Sequence, residues 1–131
     1  MLSLIRKLSA GIAVPVLWTI VVIILLCIPG SDLPEDELLK KIENFDKLVH
    51  LILFGGIVLF WGTWKHLHDS NDRTWFKFIC TLTLSTIILG IAMEYVQLYL
   101  VANRDFDRAD ISADSAGALA AFGYLIMVRR K

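Results

Sequence analysis

The sequence predicts an all-α, polytopic membrane protein in which residues 1–131 form a single domain of four transmembrane helices plus a short outer interfacial helix. Three observations predict it. Hydrophobic residues make up 56% of the chain, more than a soluble domain of this size usually buries. The charged residues are gathered into short segments between long apolar runs. Four of those runs approach the roughly 20 residues that a helix rising about 1.5 Å per residue needs to cross a hydrocarbon core of about 30 Å.

The first run, Ala10 to Ile28, follows Arg6 and Lys7. It is long for a secretory signal core, no A-x-A pattern follows it around Pro29, Gly30 and Ser31, and Leu25 and Leu26 stand where a lipoprotein signal needs a small residue ahead of Cys27. It reads as an uncleaved span, with Pro15 expected to kink or loosen it. Asp32-Leu33-Pro34-Glu35 then combines an N-cap, an early helical proline and a capping-box glutamate. Leu38, Leu39, Ile42 and Phe45 share one face beyond it, as in a helix lying along the membrane surface, with a solvated linker as the alternative. The remaining spans are Lys47 to Trp64, Phe76 to Leu100, and Ile111 to Val128. The last is diluted by Asp114 and small residues, so its companions must shelter that face.

Positive residues in short loops are retained in the cytoplasm. With the N-terminus inside, the inner segments hold Arg6, Lys7, Lys65, Arg73, Lys77, Arg129, Arg130 and Lys131, and the outer ones hold Lys40, Lys41, Lys47, Arg104 and Arg108. Both termini are therefore expected in the cytoplasm. Trp61, Trp64 and Trp75 then fall at the inner interface and Tyr95 and Tyr99 at the outer one, where such rings anchor. Cys27 and Cys80 lie near opposite faces, too far apart to bridge, and read as small apolar packing residues. A net charge of zero without a basic patch gives no sign of a nucleic-acid partner.

The polar residues inside the spans are ordered. Thr83, Thr86, Gly90, Glu94 and Gln97 follow one another at steps of three or four, a single helical stripe that must face protein. Asp107, Asp110, Asp114, Gly117 and Ala121 make a second stripe, with the carboxylates near the helix N-terminus, where the dipole favours them. Lys47 and His50 share a face, with Phe54 one turn deeper. All three stripes reach the outer face, because spans two and four run inward from it and span three runs up to it. Glu94 and Asp114 are the deepest and the most costly to leave unpaired. Lys47 also suits snorkelling, Asp46 capping and Arg108 a lipid phosphate, while His50 and Gln97 also suit interhelical hydrogen bonding.

The order Asp46-Lys47-x-x-His50-x-x-x-Phe54, then Glu94-x-x-Gln97, then Arg104-x-x-Asp107-x-x-Asp110-x-x-x-Asp114-x-x-Gly117 resembles the VanZ-like family of small bacterial membrane proteins, over about Phe45 to Gly123. The family usually has Asn where this chain has Asp114, which adds a potential charge. The resemblance implies a bacterial envelope location in the inner membrane and, through the family's association with teicoplanin resistance, an effect on glycopeptide susceptibility.

The leading expectation is an outer-leaflet site that binds or modifies an envelope lipid, a lipid-linked cell-wall precursor or a related amphiphile. Glu94 and His50 form the candidate proton-transfer pair. Lys47, Gln97, Arg104, Asp107, Asp110 and Asp114 are the candidate ligand-binding residues, with Lys47 and Arg104 suited to phosphate or carboxylate. The sequence has no G-x-S-x-G and no paired Cys-His motif, and Ser112 and Ser115 read as packing residues. His50, Glu94, Asp107, Asp110 and Asp114 supply metal-ligand atoms, but at no recognised spacing, so no metal or cofactor is assigned. The rival expectation is a noncatalytic protein that organises or shields surface components, its polar cluster structural. A transporter is disfavoured, because four helices make a narrow core unless the chain forms homo-oligomers, which the sequence leaves open.

Overall fold

The computed structural model describes residues 11–29 and 45–129. They form four helices: α1 (Ala13–Leu26), α2 (Phe45–His68), α3 (Asp72–Leu100) and α4 (Arg108–Arg129). The expected interfacial helix after Asp32 lies outside the described residues, as do six of the basic residues in the orientation count.

Three of the helices, α2, α3 and α4, are long and apolar enough to cross a membrane. α2 and α4 outrun their expected spans at both ends and α3 at its N-terminal end, because polar residues join the helix as caps and end-pairs. Asn71 caps α3 by accepting from the Arg73 and Thr74 amides, so the helix starts four residues ahead of Phe76. Asp107 caps α4 by accepting from the Ala109 amide at 2.8 Å. The first span is the exception. With 14 residues α1 covers about 21 Å, short of a hydrocarbon core on its own. Pro15 lies in its first turn, where its missing N–H costs no intrahelical hydrogen bond.

The outside of the bundle is apolar: Leu17, Ile24, Leu84, Ile88, Leu119 and Met127 are all more than half exposed. Such a surface suits a membrane protein. Where lipid tails are as apolar as the side chains, helix association rests on close packing instead of transfer from water, and small residues decide it. A Cβ on Gly117 of α4 would stand 2.1 Å from the Leu51 carbonyl oxygen of α2, and one on Gly55 would stand 3.1 Å from the Gly117 carbonyl oxygen. Accordingly α2 and α4 make the most extensive helix pair.

Helix α1 packs mainly on α2. The Trp18 indole donates to the Leu53 carbonyl at 3.0 Å, and the Trp61 indole donates to the Thr19 hydroxyl at 3.0 Å. A Cβ on Gly56 would overlap the Trp18 ring at 2.4 Å, so Gly56 makes room for it. Trp75 departs from the expected lipid anchor. It is 3% exposed and donates to the Gly62 carbonyl at 3.1 Å, locking α3 to α2 from within. Tyr95 and Tyr99 are exposed, as anchors require.

Candidate functional site

The N-termini of α2 and α4 and the C-termini of α1 and α3 meet at one end of the bundle, the Glu94 end. The polar stripe of α3 is buried throughout, but its members do different work. The Thr83 and Thr86 hydroxyls donate to the Ile79 and Leu82 carbonyls of their own helix, which satisfies them locally. Gly90 leaves space for the Asp114 side chain, since a Cβ there would come within 2.8 Å of the Asp114 Oδ2. Glu94 is 1% exposed, and its Oε2 accepts from the Asp107 backbone amide at 2.8 Å. The carboxylate thus faces the start of α4, about 9 Å below the end of α3 at 1.5 Å per residue.

Lys47 is the hub at the mouth. Its ammonium reaches Asp46 Oδ2 at 2.7 Å, Asp110 Oδ1 at 2.7 Å, and Asp107. That hydrogen bond holds the Asp107 carboxyl below the usual carboxylate range. Below this layer His50 stacks against Phe54 and its Nδ1 lies 2.9 Å from Asp114 Oδ1. A carboxylate only accepts, so Nδ1 donates and Nε2 is left facing Asp110 Oδ2 at 3.8 Å. His50, Glu94 and Asp110 each place a ligand atom within 4.8 Å of the others'.

The expected site residues make these contacts. The direct partner of His50 is Asp114, and no His50–Glu94 hydrogen bond joins the expected proton-transfer pair. Lys47 is committed to three aspartates and is not a free phosphate clamp. Gln97 stands apart from the carboxylates: its amide donates to the Leu26 carbonyl at 3.0 Å, capping the end of α1. Arg104 does the same through Nε, which donates to the Ile28 carbonyl at 3.3 Å. Ser112 is exposed and donates back to the Arg108 carbonyl, so it does not pack between helices. Arg108 is exposed, and Cys27 and Cys80 are free thiols.

Asp46, Glu94, Asp107, Asp110 and Asp114 therefore face one lysine and one histidine. Among the described residues, Lys47 is the sole lysine or arginine ion-paired to the cluster. Glu94, Asp110 and Asp114 are all under a tenth exposed. Buried anionic charge in such excess needs a proton, a metal ion or a cationic ligand group. Comparisons of the chain with protein-family models, with curated proteins and with solved structures found no match.

Proposed function

We propose that this chain is a VanZ-like protein of the bacterial inner membrane that crosses the bilayer four times with both termini in the cytoplasm. In this reading α1 completes its crossing with flanking residues, and the Glu94 end opens in the outer leaflet. There it binds or modifies the head group of an envelope lipid, a lipid-linked cell-wall precursor or a related amphiphile, with a consequent effect on glycopeptide susceptibility. The observation that carries the reading is the burial of Glu94, Asp110, Asp114 and His50 inside the bundle behind a lysine that is itself partly open. A head group reaching that depth leaves its tails among the exposed apolar side chains. Because Lys47 is spent on aspartates, the pocket favours a head group that brings positive charge, an amine or a cation-bound phosphate.

The test is native mass spectrometry of protein extracted from bacterial membranes. Wild type should retain a bound amphiphile. Glu94→Gln combined with Asp110→Asn should lose it, while the lipid-facing change Leu119→Ala should keep it. Equal retention by both variants would exclude the pocket as the binding site. Conversion of the retained amphiphile by purified protein would make the chain an enzyme.

The rival, a noncatalytic organiser with a structural polar cluster, draws on the Gln97 and Arg104 contacts, which only tie down the end of α1. It requires the carboxylates to stabilise the fold, and Glu94→Gln would then unfold the bundle.

A further inference from the structure

We infer that the Glu94 end holds a divalent transition-metal ion, of the Zn2+ or Mn2+ type, ligated by His50 Nε2, Glu94 and Asp110 Oδ2. Asp114 acts as the positioning residue behind His50. Three side chains from three different helices converge here, with their ligand atoms within 4.8 Å of one another. Ligands about 2.1 Å from a common ion stand about 3.0–3.5 Å apart, so closure from separations of up to 4.8 Å needs a contraction of at most about 1.3–1.8 Å, within reach of side-chain rotations.

Two buried side chains each bring to this cluster an atom that makes no hydrogen bond among the described residues. His50 has a side chain only 7% exposed, and its Nε2 makes no hydrogen bond among the described residues, with Asp110 Oδ2 at 3.8 Å. Glu94, 1% exposed, uses Oε2 for the Asp107 amide, and its other oxygen makes no hydrogen bond among the described residues. Asp110 divides its work, giving Oδ1 to Lys47 and turning Oδ2 towards the histidine. With Nδ1–H given to Asp114, a neutral His50 turns Nε2 as an acceptor towards the two carboxylates, an arrangement that a cation resolves.

The outer contacts match the requirement. A ligating histidine is oriented by giving its other N–H to a carboxylate, and Asp114 Oδ1 lies 2.9 Å from Nδ1 in that role. One imidazole and two carboxylates suit Zn2+ or Mn2+ better than Ca2+, which prefers an all-oxygen shell. Three protein ligands leave positions open for water or a ligand oxygen. Metal binding here is independent of which head group docks beside it, so it can fail or hold without deciding the amphiphile reading.

The experiment is equilibrium dialysis of folded, monodisperse protein in detergent against Zn2+ and Mn2+, with metal content measured by mass spectrometry. Thermal unfolding is followed with and without EDTA. Wild type should bind one ion per chain and lose thermal stability on chelation. His50→Ala and Glu94→Gln should each weaken binding at least tenfold and make unfolding insensitive to EDTA. Asp114→Leu should weaken binding by about 10–100-fold, while Asp114→Asn, which keeps an acceptor for Nδ1–H, should stay within a few-fold of wild type. The X-ray absorption spectrum of the Zn2+ form should show one imidazole among oxygen ligands. Failure of folded wild type to bind either ion at about 1 mM would overturn the site. So would unchanged binding by His50→Ala and Glu94→Gln, which would assign the ion to the open Asp46, Asp107 and Asp110 group at the mouth.

Discussion

The two ends of the bundle handle charge in opposite ways. At the end where α2 meets α3, each ion pair is matched: Lys65 with Asp69 at 3.0 Å, and Arg129 with Asp72 at 2.7 Å. Arg129 also donates to the Asp69 carbonyl and lies over the Trp75 ring, so the end of α4 is strapped to the α2–α3 turn. Asp72 there is open to water, with a side chain 85% exposed, and Asp69 is 18% exposed beside a lysine at 29%. At the Glu94 end three of the acids, Glu94, Asp110 and Asp114, are buried, and with Asp46 and Asp107 the acids outnumber the bases that pair with them. Matched, wet pairs stabilise little and commit a chain to nothing beyond its shape. Unmatched, buried carboxylates cost stability, and a fold that retains them points to a ligand.

The sharpest way to break this contrast is to remove one charge at each end. Lys47→Met strands Asp46, Asp107 and Asp110 without their cation and should destabilise by about 3–5 kcal/mol. Asp72→Ala leaves Arg129 held by backbone carbonyls and should cost about 0.2–1 kcal/mol. Denaturant unfolding in mixed micelles measures both, and equal losses would erase the distinction between the ends. A smaller effect is expected of Gly90→Ala. The added Cβ would sit 2.8 Å from Asp114 Oδ2 and displace that side chain from His50, at a cost of about 1–3 kcal/mol. Nuclear magnetic resonance of the His50 ring should then show loss of the slowly exchanging Nδ1 proton.

The least effect belongs to acid titration of the matched end. The Thr74 hydroxyl donates to the Asp69 carboxyl, which together with the Asn71 amide and Lys65 holds it at about 2 instead of the ordinary 3.8. A depressed carboxyl stabilises fully above its unfolded value and loses that contribution as pH falls through its folded value. Hydrogen exchange in the α2–α3 turn should therefore quicken slightly between about pH 4 and pH 2, and Asp69→Asn should remove that pH dependence.

The legibility of the sequence follows the same division. Periodicity places Glu94, Asp110, Asp114 and Gly117 on buried faces, and the alternating direction of the helices brings their stripes to one end, because a polar group facing lipid is too costly to occur by chance. Pairing within that end was not legible, since spacing along each helix fixes a face but not the rotation between helices. His50 therefore takes Asp114 as its partner, and Gln97 and Arg104 turn to the end of α1. Trp75 was misplaced for a related reason: an indole near a helix end serves a lipid interface or a neighbouring carbonyl equally well. The Asn71 cap carried a readable signal, Asn just ahead of the apolar run, but hydropathy alone starts the span at Phe76. Helix α1 is shorter than the apolar run Ala10 to Ile28 that holds it, because an apolar run marks a length of sequence and not a length of helix.

The central claim is that the buried carboxylates serve a ligand and burden the empty fold. The most direct measurement is the unfolding free energy of Glu94→Gln against wild type, in detergent, after exhaustive chelation and delipidation. Glutamine keeps an acceptor for the Asp107 amide and removes one negative charge beside Asp110. The variant should be as stable as wild type or more stable, while failing to retain the amphiphile. A loss of about 3 kcal/mol or more would show that Glu94 belongs to a structural ion network, and would contradict the account.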